Sequence, residues 1–122
     1  MLRNIPQGDL LCRLLETCSL RQEVIAQNVA NVNTPGYQRR VVRFEEELAR
    51  QLRSAPLTGR ASPLAVSPVV VLDTHNWPRA DGNTVDLAQE MGLLTRNSLL
   101  YQTYLQILAL RLGELRSAIT GR

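Results

Sequence analysis

The sequence predicts a mainly α protein: long N- and C-terminal helices pair as an antiparallel coiled-coil hairpin around a short, partly irregular middle insert. Three observations predict it. Leucines recur at heptad spacing over the last third of the chain. A shorter helical stripe occupies the first quarter. Between them Pro, Gly and Ser break the chain.

With 122 residues the chain makes one domain at most. One Trp, one Phe and three Tyr make the core aliphatic. The organisation read from the sequence is an N-terminal helix and turn over 1–36, an insert over 37–82 and a C-terminal heptad helix over 83–122.

The first helix is expected from about Asp9, as N-cap, to Asn31. Leu11, Cys18, Ile25 and Val32 recur at seven, and Leu15 and Val29 share the companion row with Gln22 between them. The stripe ends at Asn33-Thr34-Pro35-Gly36, where Pro cannot continue a helix and Gly permits a turn. Cys12 and Cys18 lie six apart, on different sides of the helix, too far for a disulfide, and are read as two small buried hydrophobes.

The last helix is expected from about Val85 to Ile119, capped by Asn83 or Thr84. Leu87, Leu94, Tyr101, Leu108 and Leu115 form one row of seven. Met91, Leu105, Leu112 and Ile119 form the other, which Ser98 interrupts. The interleaved rows define a helix-pairing seam about 50 Å long. Gly92 and Gly113 weaken the helix by about 1 kcal/mol each relative to Ala, away from the seam. Leu93, Leu100 and Ile107 make a further apolar row, with Leu99 and Leu110 beside it. One partner helix cannot cover both sides. Either a neighbouring chain covers this row, as an intersubunit face, or the insert folds over it.

In the insert, Val41 to Arg53 reads as a short charged helix. Pro56, Gly59, Pro63 and Pro68 then break the chain, and Pro68 to Leu72 reads as a strand without an obvious partner, or as an extended segment.

Catalytic chemistry is not legible. His75 is the single histidine, too few ligands stand near it for a metal, and it is read as a loop residue. No phosphate-cradling glycine loop or nucleophile elbow occurs. Glu45, Glu46 and Glu47 are adjacent and point different ways on a helix. No cofactor is expected. The net charge of +3 is carried entirely by Arg. The basic run Arg39, Arg40 and Arg43 is cancelled by the acidic run, which argues against nucleic acid. No apolar run is long enough to insert in a membrane, and no cleavable signal pattern opens the chain.

The string Asn28-Val29-Ala30-Asn31-Val32-Asn33-Thr34-Pro35-Gly36-Tyr37 resembles the signature of flagellar rod, hook and hook-associated axial proteins. Asn side chains bond backbone groups near a helix end, and Gly36 is expected at positive φ. The stretches 39–48, 82–91, 97–102 and 115–121 are similar to the short proximal-rod members of that family, although Gln38 replaces the usual Lys. The resemblance implies a non-enzymatic structural subunit of the periplasmic rod, the drive shaft needed for motility. It implies export without a cleaved signal through the flagellar type III apparatus. The partners implied are copies of the chain, other flagellar rod proteins, the inner-membrane (MS) ring and the rod adaptor. A cytosolic helical-hairpin adaptor would explain the heptads without the signature, and a small nucleic-acid binder would explain only the basic pI.

Overall fold

A computed structural model describes residues 7–54 and 66–121. The breaks read at Pro56, Gly59 and Pro63 lie outside the described residues. Two long helices, α1 (Gln7–Ala30) and α3 (Leu87–Thr120), pack together as the main layer. They run antiparallel: Asn28 near the end of α1 meets Glu90 near the start of α3, and Cys18 meets Asn97 about two to three turns further along. The helices are about 36 Å and 51 Å long.

α1 forms where the sequence places its stripe. Leu11, Cys18 and Ile25 are buried, joined by Val24 and by the polar Thr17 and Asn28. Thr17 satisfies its hydroxyl by donating to the Arg13 carbonyl at 2.7 Å, as Ser and Thr do inside helices. The helix starts at Gln7, so Asp9 lies in its first turn rather than at the cap. Cys18 is buried, and burial pushes its thiol up. Cys12 is exposed, a correction to the expectation that both cysteines are core. The six-residue offset that separates the two sulfurs also turns Cys12 out of the stripe.

The stretch read as one charged helix divides in two. Arg40–Arg43 is a strand, β1, and Glu45–Ser54 is a helix, α2. β1 pairs antiparallel with β2 (Val69–Leu72), in the register Arg40↔Leu72 to Arg43↔Val69. β1 is therefore the partner that the apolar run 69–72 lacked in the sequence reading. A two-stranded ribbon is marginal alone, and β1 is held on the helix layer by packing against α1. Val42 points inward, and Phe44, just past the strand, is fully buried. Val66 and Val85 complete this end of the core. α2 contributes no buried residue and lies at the surface.

α3 is capped by Asp86, whose carboxylate accepts from the Ala88 and Gln89 amides. Asn83 and Thr84, the expected caps, lie before it and serve elsewhere. Among the described residues no helix is long and apolar enough to cross a membrane.

Candidate functional site

Signature residues and the opening of α3 meet in one polar junction. After Ala30 the chain turns through Thr34, and Gly36 takes φ +73°. The Gly36 amide donates to the Asp81 carbonyl at 2.9 Å. Across this contact Gly82 stands at φ +82°, and a Cβ on it would lie 3.5 Å from the Gly36 Cα. The two turns touch backbone to backbone, a region where side chains other than Gly are strained.

Asn83 locks the junction. Its fully buried carboxamide donates to the carbonyls of Asn31, Val32 and Thr34 at 2.9, 3.1 and 2.9 Å. Those carbonyls belong to the turn just past the end of α1, where the backbone has left the helical bonding pattern. The Asn83 Oδ1 accepts from the Val85 amide at 2.7 Å. One side chain from residue 83 thus closes the end of a helix fifty residues earlier in the chain.

Asn28 does the same for the strand. Its Nδ2 donates to the Arg40 carbonyl at 2.8 Å and its Oδ1 accepts from the Arg40 amide at 3.1 Å. The carboxamide stands in for a strand neighbour along β1. The Tyr37 hydroxyl, half-buried, donates to the same Oδ1 at 3.3 Å. Of the remaining signature residues, Asn31 donates to the Gln27 carbonyl and Thr34 donates to Asn31 Oδ1. Asn33 and Pro35 are exposed.

Arg39 is the charged centre, and the sequence reading missed it. It is 4 % exposed and pairs with both Glu90, fully buried, and Asp73. The Arg39 amide donates to Thr84 Oγ1 at 2.7 Å, and its carbonyl accepts from the Asp73 amide at 2.9 Å. A buried guanidinium with its carboxylates in place is tolerated; removing one partner is costly. Burial works to raise the Asp73 carboxyl, but bonds from the His75 amide and ring and from Arg39 outweigh it and hold it below the ordinary range. His75 is an exposed loop residue engaged with Asp73 at 2.9 Å. Among the described residues no His, Cys, Asp and Glu group could hold a metal ion.

The face that α3 turns inward differs from the expected seam. Leu94, Tyr101 and Leu108 are half-buried. Leu87, Met91, Leu105, Leu112 and Leu115 are exposed. Instead the companion row is Glu90, Asn97, Tyr104 and Arg111, also spaced by seven, buried or half-buried. The buried face is turned about the helix axis by part of the 100° residue step. The physical reason is that Glu90 and Asn97 carry built partners: Arg39 for the first, the Cys18 carbonyl at 2.8 Å for the second. A count of apolar residues does not see such positions. Burial pushes the Tyr104 hydroxyl up.

The row Leu93, Leu100 and Ile107 is divided too. Leu93 and Leu100 are half-buried and line a groove of about 510 Å³ between α1, β1 and α3. Ile107 is exposed. Residues 112–120 of α3 are all exposed and include Leu112, Leu115 and Ile119.

The hairpin ties most of its buried charged and amide groups to one another and shows apolar side chains outward along its longest helix, a pattern common in surfaces that bind other proteins. Residues 15–38, from mid-α1 through the turn, match the family model described as flagella basal body rod protein. The chain is 38 % identical over 120 residues to the flagellar basal body rod protein FlgB of Borrelia hermsii, covering 83 % of this chain and 86 % of that one. It is 35 % identical to FlgB of Salmonella typhimurium, over 83 % of both chains, and 35 % identical to FlgB of Aeromonas hydrophila, over 88 % and 87 %. The chain belongs to the FlgB family of flagellar basal-body rod proteins.

Proposed function

We propose that the chain is a structural subunit of the flagellar basal-body rod and serves motility by polymerising into that shaft. The observation that carries the reading is similarity to FlgB proteins along more than four-fifths of the chain. The matched segment 15–38 contains the turn that the junction closes. Assembly with other rod components and a place in the basal body follow from the family.

The finer reading is ours. The subunit sits in the proximal rod, in the periplasm, against the inner-membrane ring and its adaptor. It arrives through the flagellar type III export apparatus without a cleaved signal. It is not an enzyme: the buried charges at Arg39, Asp73 and Glu90 bind each other and hold the hairpin together. A cytosolic adaptor would need the same hairpin, but it gives no reason for the Asn-rich signature.

Deletion of the gene tests this. The expected strain does not swim, and its isolated basal bodies lack a rod; the gene supplied in trans restores both. A deletion strain that swims and builds complete rods overturns the proposal.

A further inference from the structure

Trp77 is 91 % exposed, yet the loop that carries it is tightly held. The Asn76 carboxamide donates to the Thr84 carbonyl at 3.0 Å and to Gln89 Oε1 at 2.7 Å. The Arg79 amide donates to the Asn83 carbonyl and the Gly82 amide to the Arg79 carbonyl, both at 2.9 Å. The Arg79 guanidinium reaches back to the Val32 carbonyl at the end of α1. An indole presented on an ordered loop loses little freedom when it docks, and Trp leads the residues that anchor interfaces.

The groove between α1, β1 and α3 has the complementary chemistry. Val24, Ile25, Leu93 and Leu100 give it apolar walls, and the exposed Arg40 and Arg96 stand at its rim. A guanidinium over an indole face is attractive. Its volume of about 510 Å³ lies in the range of sites that enclose a ligand group. Asn97 also lines it, and the Asn97 Oδ1 is buried without a hydrogen-bond partner. The indole N–H is a donor with no acceptor function of its own.

We propose that the Trp77 loop of one copy seats in the groove between α1, β1 and α3 of a second copy, a contact that rests on the rod-subunit reading. The Trp77 loop and the groove lie on one subunit, joined through the Asn76–Gln89 bond. In the proposed contact each copy gives its tryptophan to the next and receives that of the copy before, head to tail. A head-to-tail contact leaves a free groove at one end and a free tryptophan at the other, and it propagates into a ring or a filament.

Trp77 is the single tryptophan, so its fluorescence reports on its own surroundings. The full chain is titrated in concentration while emission and sedimentation are followed. The expected result is a shift of emission to shorter wavelength in step with the rise in mass. Trp77→Ala and Leu100→Glu each weaken association at least about tenfold, with circular dichroism unchanged for Trp77→Ala. Mixing the two variants restores one contact and stops at dimers, because only one chain keeps its groove and only the other its tryptophan. Emission that stays that of a solvated indole at every concentration overturns the proposal. So does Trp77→Ala association equal to that of the parent. A Trp77→Ala strain that swims, in a background where gene deletion abolishes swimming, overturns the docking and leaves the rod-subunit reading intact.

Discussion

Asn83 carries more of the structure than its size implies. Replacing it with Ala takes one donor from each of the Asn31, Val32 and Thr34 carbonyls, which keep the Thr34 amide, the Arg79 guanidinium and the Tyr37 amide, and it takes the acceptor from the buried Val85 amide. Unsatisfied buried groups cost about 1–3 kcal/mol each, and water recovers part of that loss. Asn83→Ala should therefore destabilise the chain by about 1–3 kcal/mol, read as a lower urea midpoint at unchanged slope. Asp73 gives a second expectation. Its carboxyl is held below its ordinary range in the folded state. The stability this brings is present above the unfolded pKa, about 4, and is lost as pH falls through the lower folded value. The urea midpoint should fall as the pH drops below about 4, and Asp73→Asn should flatten that fall. The sequence made Asn28, Gly36 and Tyr37 legible as a turn, because asparagine, glycine and an aromatic at a helix stop have local meanings. Arg39, Glu90 and Asn83 were not legible as partners. Their bonds join residues 51 and 52 apart, and no local pattern encodes such a pairing.

At the scale of elements, α3 separates what periodicity reveals from what it hides. The heptad spacing identifies the helix and picks out Leu94, Tyr101 and Leu108, which are half-buried. It does not fix the rotation of the helix. That is set by Glu90 and Asn97, polar residues whose partners lie on other elements. Tyr104 and Leu105 therefore exchange the roles that hydrophobicity alone assigns. Tyr104→Ala should lower the stability of the isolated chain by about 2–3 kcal/mol, through lost packing against α1. Leu105→Gln, at a position 41 % exposed, should change it by less than about 0.5 kcal/mol. Thermal melts of both variants at low concentration check the pair, and a reversed order would restore the apolar seam. The strand pair shows a different limit. Pro68 to Leu72 reads in the sequence as a strand or an extended segment, but its partner Arg40–Arg43 overlaps the stretch from Val41 that reads as a short helix. Strand pairing across the insert, which no local pattern encodes, decides where β1 ends and α2 begins.

For the molecule as a whole, the exposed apolar side chains of α3 divide folding from assembly. Leu112, Leu115 and Ile119 are 58 %, 60 % and 84 % exposed and contribute little to the isolated subunit. The double substitution Leu112→Glu and Ile119→Glu should leave the melting temperature within about 2 °C of the parent, since exposed substitutions shift stability by fractions of a kcal/mol. The same substitution should abolish rod formation, because each would place a charge against apolar neighbours. Electron microscopy of basal bodies from the complemented deletion strain reads the outcome. The junction carries a consequence for time as well as for strength. The bonds that close the turn after α1 come from residues 79–90, and the bond that secures mid-α1 comes from Asn97, 79 residues beyond Cys18. Contacts so distant along the chain form late and slowly. A chain made N-terminus first holds its signature turn open until nearly four-fifths of its length has followed, so the junction is the last part of the fold to close.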